Sequence, residues 1–382
     1  MELLILFIPI VTVIILLSFF KKETALWEYI IVLAPSLLMF ITIKYTMIYC
    51  NSLDTEYLGD VISNITYYED WDETVMVAHH YTTGSGKHRV IHTYYVPERR
   101  YHPARYNYKT TIGIDKDVDE KTFNIIINKL KVNPIFKDMH RNYRSKDGDA
   151  YVYIWNKKKE NAYSVTWKHS YENKVKASNY SIFKYSITDE DIKNNKLFEY
   201  PEIYNEDQNP ILGMKVSKSD MESIKYINGI KGPKNNIRVF ILCFNNKNPE
   251  VAELQKSYWF GGNKNEFVVC LGVNNDSVKW CRPFSWSDKP YLEVKTRDYF
   301  ITHPKVNFTE YAKWLDKNIS KNWYRKSFED FNYISIELTN TEYIIILILM
   351  LLYNIGISYW VINNDYTLTD PNGFKRRKWK NF

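Results

Sequence analysis

The chain has 382 residues, with 51 Lys+Arg against 44 Asp+Glu and a formal charge of +7. Charged residues at 25% and apolar ones at 45% exclude wholesale disorder, collagen and a disulfide-dense mini-protein. A negative mean hydropathy excludes a chain mostly embedded in lipid, and 16% aromatic residues suit a β-rich globular region.

The apolar residues are concentrated at both ends. Leu3 to Phe20 is an apolar run of 18 residues whose only polar members are Thr12 and Ser18. As a helix it rises about 27 Å, close to a hydrocarbon core of ~30 Å. Trp27 to Tyr49 is a second run, with aromatic ends and a Lys44 placed to snorkel. Tyr343 to Ile362 is a third, without a charge. The Met-Glu start lacks a basic n-region and no small-x-small site follows Phe20, so the first run reads as a membrane helix rather than a cleaved signal. Lys21 and Lys22 lie between the first two runs, and Lys375, Arg376, Arg377, Lys378 and Lys380 crowd the tail. The bias of basic residues assigns both segments to the cytoplasmic side. The expected organisation is a membrane hairpin at 1–49 (3–20 and 27–49), an extracytoplasmic domain at 50–340, a membrane helix at 341–363 and a basic cytoplasmic tail at 364–382. The tail is a topology signal first and an anionic-lipid contact second. The mild charge of the outer region argues against a nucleic-acid partner.

No repeat or Pro/Gly/Ser-rich linker divides residues 50–340, which read as one α+β domain. Thr74 to Val96 alternates around Gly84-Ser85-Gly86, a β-hairpin signal. Asp117 and Glu120 resemble a capping box ahead of a helix with Phe123, Ile126, Ile127 and Leu130 on one face. Asp149 to Trp167 reads as a hairpin turning near Lys157. Ile237 to Phe244 is an apolar strand, Asn248-Pro249 starts a helix that Gly261-Gly262 stops, and Glu266 to Val273 is a second strand. Together these predict a βαβ unit near 237–273. Ser277 to Trp286 returns across a turn at Asn275-Asp276, and Asn307 opens an amphipathic helix with Phe308, Tyr311, Leu315 and Ile319 on one side.

Histidine is the densest chemical signal: His79, His80, His88, His92 and His102 fall within 24 residues. A three-residue loop at Ser85 to Lys87 would set His80 opposite His92, with His88 four residues along, a seat for zinc with a carboxylate or water. Plain solvation of an exposed hairpin is the alternative. Glu69, Asp70, Asp72 and Glu73 offer a carboxylate pair or a solvated edge. Pairing across Asn275-Asp276 sets Cys270 opposite Cys281, a candidate disulfide in an extracytoplasmic domain, with Cys243 as competitor. Asn245 and Asn246, at a strand C-terminal end, are candidate ligand contacts. GxSxG, Walker A, GxGxxG, HExxH and CxxC patterns are absent.

Several phrases resemble those of a family of uncharacterised membrane proteins of bacteriophages and bacterial genomes. They include Asp54-Thr-Glu-Tyr57, Tyr67-Tyr-Glu-Asp-Trp-Asp-Glu73, Tyr101-His-Pro103 and Asp138-Met-His-Arg-Asn-Tyr143. Phe244-Asn-Asn-Lys-Asn-Pro249, Trp259-Phe-Gly-Gly-Asn-Lys-Asn-Glu266 and His303-Pro-Lys-Val-Asn307 complete the set. The resemblance implies a phage or prophage product in a bacterial cytoplasmic membrane, and cysteines in relatives where this chain has His88. It implies no activity. The expectation is a membrane-anchored binding or interaction protein, not an enzyme, without a cofactor. Its partners would be the bilayer and an envelope protein, and a homo-oligomer is open. The alternative is a membrane-anchored, zinc-dependent hydrolase using the His79–His102 hairpin with Glu69 or Asp72.

Overall fold

The computed structural model describes residues 2–20, 26–139, 147–184, 187–204, 208–245 and 248–363. Asn246, Lys21, Lys22 and the basic tail with Lys375, Arg376, Arg377, Lys378 and Lys380 lie outside the described residues. The chain is mixed α+β and divides into two compact units. One comprises Met1–Asp54, Glu172–Ser181 and Glu329–Phe382, the other Thr55–Tyr171 and Ile182–Phe328.

In the first unit, helices α1 (Glu2–Phe20), α2 (Leu26–Ser52) and α10 (Asn340–Asn363) cover the three apolar runs. Two helices, Glu28–Ser52 and Asn340–Asn363, are long and apolar enough to cross a membrane, and Ile5–Phe20 is a shorter apolar helix. Ile5 meets Phe40, Ile346 and Met350 towards one end of the bundle, and Val13 and Leu17 meet Val32 and Val361 towards the other. The buried positions of α10 include Tyr343, Ile346, Met350, Asn354, Ser358 and Val361, a single stripe at helical spacing. Gly356 faces open space instead. A reciprocal cap starts this helix. Thr339 Oγ1 accepts the Glu342 N–H at 3.3 Å, and Glu342 Oε2 accepts the Thr339 N–H at 2.7 Å. Asn51 Nδ2 donates to Glu342 Oε1 at 2.7 Å, so the ends of α2 and α10 are tied together. The Asn173 N–H donates to the Ser52 carbonyl at 2.7 Å, which fixes the short helix α4 (Lys174–Ala177) to the same end.

The second unit contains two sheets with helices packed on them. Strand β1 (Leu53–Tyr68) is the spine of the first. It pairs antiparallel with β4 (Arg105–Thr110) on one side and β7 (Ala150–Ile154) on the other. Strand β5 (Asp115–Val118) lies beyond β4, β6 (Ile135–Lys137) beyond β7, and β8 (Ser164–Glu172) also pairs with β1. The expected hairpin over 149–167 is therefore not formed: each of its strands prefers the longer β1 to its sequence neighbour. Helix α3 (Glu120–Leu130) buries Phe123, Ile126 and Leu130 against Val61, Ile62, Ile65 and Tyr108. Its cap is Asp119, accepting the Thr122 N–H at 2.7 Å, because Asp117 is taken into β5.

The second sheet has the order β12-β11-β10-β9. Strands β9 (Ile211–Leu212), β10 (Arg238–Phe244) and β11 (Glu266–Asn274) run parallel, and β12 (Ser277–Ser285) is antiparallel to β11. Helix α7 (Val251–Tyr258) connects β10 to β11, giving the expected strand–helix–strand unit. One face of this sheet is covered by α6 (Lys218–Asn235), α8 (Tyr291–Thr302) and α9 (Phe308–Asn322), through Ile224, Leu292, Phe308 and Leu315. The other face packs on Val251 and Ala252 of α7, and α5 (Asp189–Asn195) adds Ile192. A sheet buried on both faces explains why 239–244 reads as an unbroken apolar run rather than an alternating one. Asn307 caps α9 as expected, accepting the Glu310 N–H at 3.0 Å.

The expected Cys270–Cys281 disulfide is corrected by the register. Asn275 and Asp276 both take left-handed φ (48° and 59°), making the tight two-residue turn, and Val273 pairs with Val278 as expected. A bulge then intervenes: Gly272 pairs with Trp280, and Lys279 is the extra residue. The Trp280 ring lies where a side chain on residue 272 would be, 2.0 Å from an ideal Cβ. Beyond the bulge Cys270 faces Arg282 and Leu271 faces Cys281, so the two thiols lie in the cores on opposite faces of the sheet. Cys243, Cys270, Cys281 and the exposed Cys50 are all free. Burial pushes the Cys243 and Cys281 thiols up to about 12. Unreduced protein unfolded in guanidinium should titrate four thiols with a chromogenic disulfide reagent; two would contradict the register.

Candidate functional site

The histidines lie on a free-standing two-stranded ribbon. Among the described residues, strands β2 (Trp71–Thr83) and β3 (Val90–His102) pair only with each other, 13 residues each, a projecting arm about 40 Å long at ~3.3 Å per residue. Its connection is six residues, 84–89, with left-handed Gly84 and Gly86 and a 3₁₀ turn at Gly86–His88. The expected loop has three residues. An even count in place of an odd one slips the register by one residue, which sends alternate side chains to the other face. Tyr81 therefore faces His92, and His80 faces Thr93.

This separates the expected metal ligands. His80 and His92 lie on opposite faces, and His88 sits in the turn. His80 Nδ1 is 2.9 Å from Thr93 Oγ1, and His92 Nε2 is 2.8 Å from Thr83 Oγ1. Among the described residues no group of three or more His, Cys, Asp or Glu is placed to hold a metal ion.

The arm's histidines serve a ladder of rings instead. His79 stacks on Tyr94 at 5.5 Å and Tyr81 on His92 at 5.0 Å, while Trp71 stacks on His102 at 4.7 Å at the base. An isolated two-stranded ribbon is marginal in water, and such cross-strand pairs add ~0.2–1 kcal/mol each. The acidic cluster anchors the base rather than forming a catalytic pair. Asp72 pairs with Arg99, Glu73 Oε1 lies 3.0 Å from His102 Nε2, and Asp70 and Glu69 each accept a tyrosine hydroxyl, from Tyr101 and Tyr151, at 3.1 Å. The Arg99 hydrogen bond holds the Asp72 carboxyl below its ordinary range, and the Asp70 hydrogen bond raises Tyr101.

Towards the tip the composition changes. Met76 to Pro97 contains no Asp or Glu, and carries Lys87 and Arg89 with four histidines. Tyr81, Ile91 and Tyr95 are 51%, 69% and 63% exposed, and Met76, Val90 and Tyr94 are also open. The register puts Tyr81, Val90 and Tyr94 on one face of the ribbon and Met76, Ile91 and Tyr95 on the other, so both faces of the distal half expose apolar side chains. Reading the histidines as ligands passes over these tyrosines and aliphatics. Their signal is in the sequence: Val90 to Tyr95 is apolar at both odd and even positions, which a ribbon buried on one face has no use for.

Asn245 is exposed at the end of β10. The neighbouring glycine loop is structural. Gly261 and Gly262 take φ of +80° and +76°, and Trp286 Nε1 donates to the Gly262 carbonyl at 2.9 Å. No protein family, curated protein or solved structure matches the chain.

Proposed function

We propose that the chain is a membrane-anchored binding protein of a bacterial cell envelope, and that the β2–β3 arm is its contact element. In this reading α1, α2 and α10 cross the cytoplasmic membrane, residues 50–340 face outward and the basic tail faces the cytoplasm. The observation that carries it is the arm's distal half, which exposes tyrosine, isoleucine and methionine in an acid-free segment. Burying such side chains against a partner supplies binding energy that the free protein forgoes, and exposed aromatics are common interface anchors. Lys87 and Arg89 suit a partner with an acidic rim. Phage origin rests on the sequence resemblance alone.

A photo-crosslinking residue in place of Tyr95 tests this in living cells. It should give a discrete adduct. In the Tyr81→Thr, Ile91→Thr, Tyr94→Thr background the adduct should fall at least tenfold, because threonine keeps the strand but removes the anchors. The melting temperature should change little, since these side chains are exposed. Undiminished adduct in that background would overturn the arm as contact element.

A further inference from the structure

The second unit contains a cleft of about 610 Å³ lined by α3, α6 and the start of β8. The lining carries four lysines against two glutamates. One ion pair is internal to it: Lys129 Nζ of α3 lies 2.7 Å from Glu222 Oε2 of α6 and ties the two helices together. Ser164 Oγ of β8 donates to the Lys225 carbonyl at 3.1 Å and ties the strand to α6. The other three lysines, Lys131, Lys218 and Lys225, have no ion-pair partner among the described residues. Lys218 and Lys225 share one face of α6 with Glu222 at helical spacing, and Lys131 follows the last residue of α3. Lys218 also opens α6, where the helix N-terminus adds to the positive potential. Asp220 of the same turn is not in the lining, and its Oδ1 accepts the Thr309 N–H at 2.7 Å instead.

Small-molecule sites typically measure ~300–1,000 Å³, so a cleft of this size admits more than a lone anion. Its ammonium groups come from two helices, which suits two linked anionic groups better than one. Ile125, 45% exposed, gives the same lining an apolar side. We propose that this cleft binds a small organic diphosphate, with the phosphates on Lys131, Lys218 and Lys225 and the organic part against Ile125. A nucleic-acid strand shares the phosphates, but a long polyanion crossing the cleft would run past Glu160 and Glu222, whose charges repel it. A short diphosphate can avoid both. The inference does not depend on which side of a membrane the unit faces, and its failure would leave the role of the arm untouched.

The test is calorimetric titration of the full chain in neutral detergent, without divalent cations, using ADP as the probe. Adenosine, orthophosphate and a single-stranded oligonucleotide are titrated separately. ADP should bind one-to-one, adenosine should give no heat, and orthophosphate should bind at least roughly tenfold more weakly. Lys131→Gln, Lys218→Gln and Lys225→Gln should each weaken ADP binding roughly fivefold, and together roughly fiftyfold or more. The triple variant should keep its melting temperature without ligand, since Lys131 and Lys218 are exposed and Lys225 is only half-buried. Lys313→Gln, whose amine pairs with Glu310 at 2.7 Å outside the cleft, should bind ADP as the unaltered chain does. No ADP binding, undiminished binding by the triple variant, or an equal loss in Lys313→Gln would each overturn the proposal. Tighter binding of the oligonucleotide than of ADP would also overturn it, and would assign the lysines to a polyanion.

Discussion

Replacing Asn228 by alanine should destabilise the second unit by about 2–5 kcal/mol, one of the largest effects of any polar substitution in the chain. Asn228 is fully buried on α6 and behaves as a piece of missing strand. Its Oδ1 accepts the Val239 N–H at 2.7 Å, and its Nδ2 donates to the Val239 carbonyl at 3.2 Å. On that side of β10, strand β9 pairs only with Ile241 and Leu242, so Val239 has no strand neighbour there among the described residues. Alanine leaves two buried backbone groups unsatisfied, each costing ~1–3 kcal/mol. Asn228→Asp keeps the volume and the acceptor but loses the donor and buries a charge, so it should be no milder. A fall in melting temperature of roughly 5–15 °C is expected on the size scaling for domains of this order. If alanine were tolerated within 2 °C, the side chain would not be completing the sheet edge.

Gly232→Val should be comparably damaging, by about 3 kcal/mol or more. At Gly232 an ideal Cβ would meet the Gly59 carbonyl oxygen at 2.5 Å, and at Gly59 it would meet the Asn228 carbonyl oxygen at 2.6 Å. Helix α6 and strand β1 thus touch backbone to backbone, and neither obstructing atom can rotate away. Removing a glycine from a helix gains up to ~1 kcal/mol of propensity, and overpacking a rigid contact costs ~1–3 kcal/mol, more for a branched side chain. Packing wins. Gly356→Ala is the control, because nothing lies within 4 Å of its added methyl. It should be neutral or slightly stabilising, and a similar loss there would attribute the Gly232 effect to something other than the contact with β1.

What was legible in the sequence was local. The strand–helix–strand unit, the turn at Asn275-Asp276, the Asn307 cap and the three apolar helices each depend on residues within a few turns of one another. The parts that failed depend on parity or on distant partners. One extra residue at Lys279 parts Cys270 from Cys281, and a six-residue connection in place of three parts His80 from His92. Neither count is visible without the Trp280 ring over Gly272 or the left-handed Gly84. The role of β1 was hidden for a different reason. Its neighbours β4, β7 and β8 lie 40 to 110 residues downstream, and no short-range pattern selects among them.

The outward display of the arm is tested most directly by a single cysteine at its exposed tip, Ser85→Cys, in a Cys50→Ser background that leaves only buried native thiols. A membrane-impermeant maleimide applied to intact spheroplasts should label this variant to the same extent before and after lysis. Labelling that appears only after lysis would put the arm inside the cell and contradict the account.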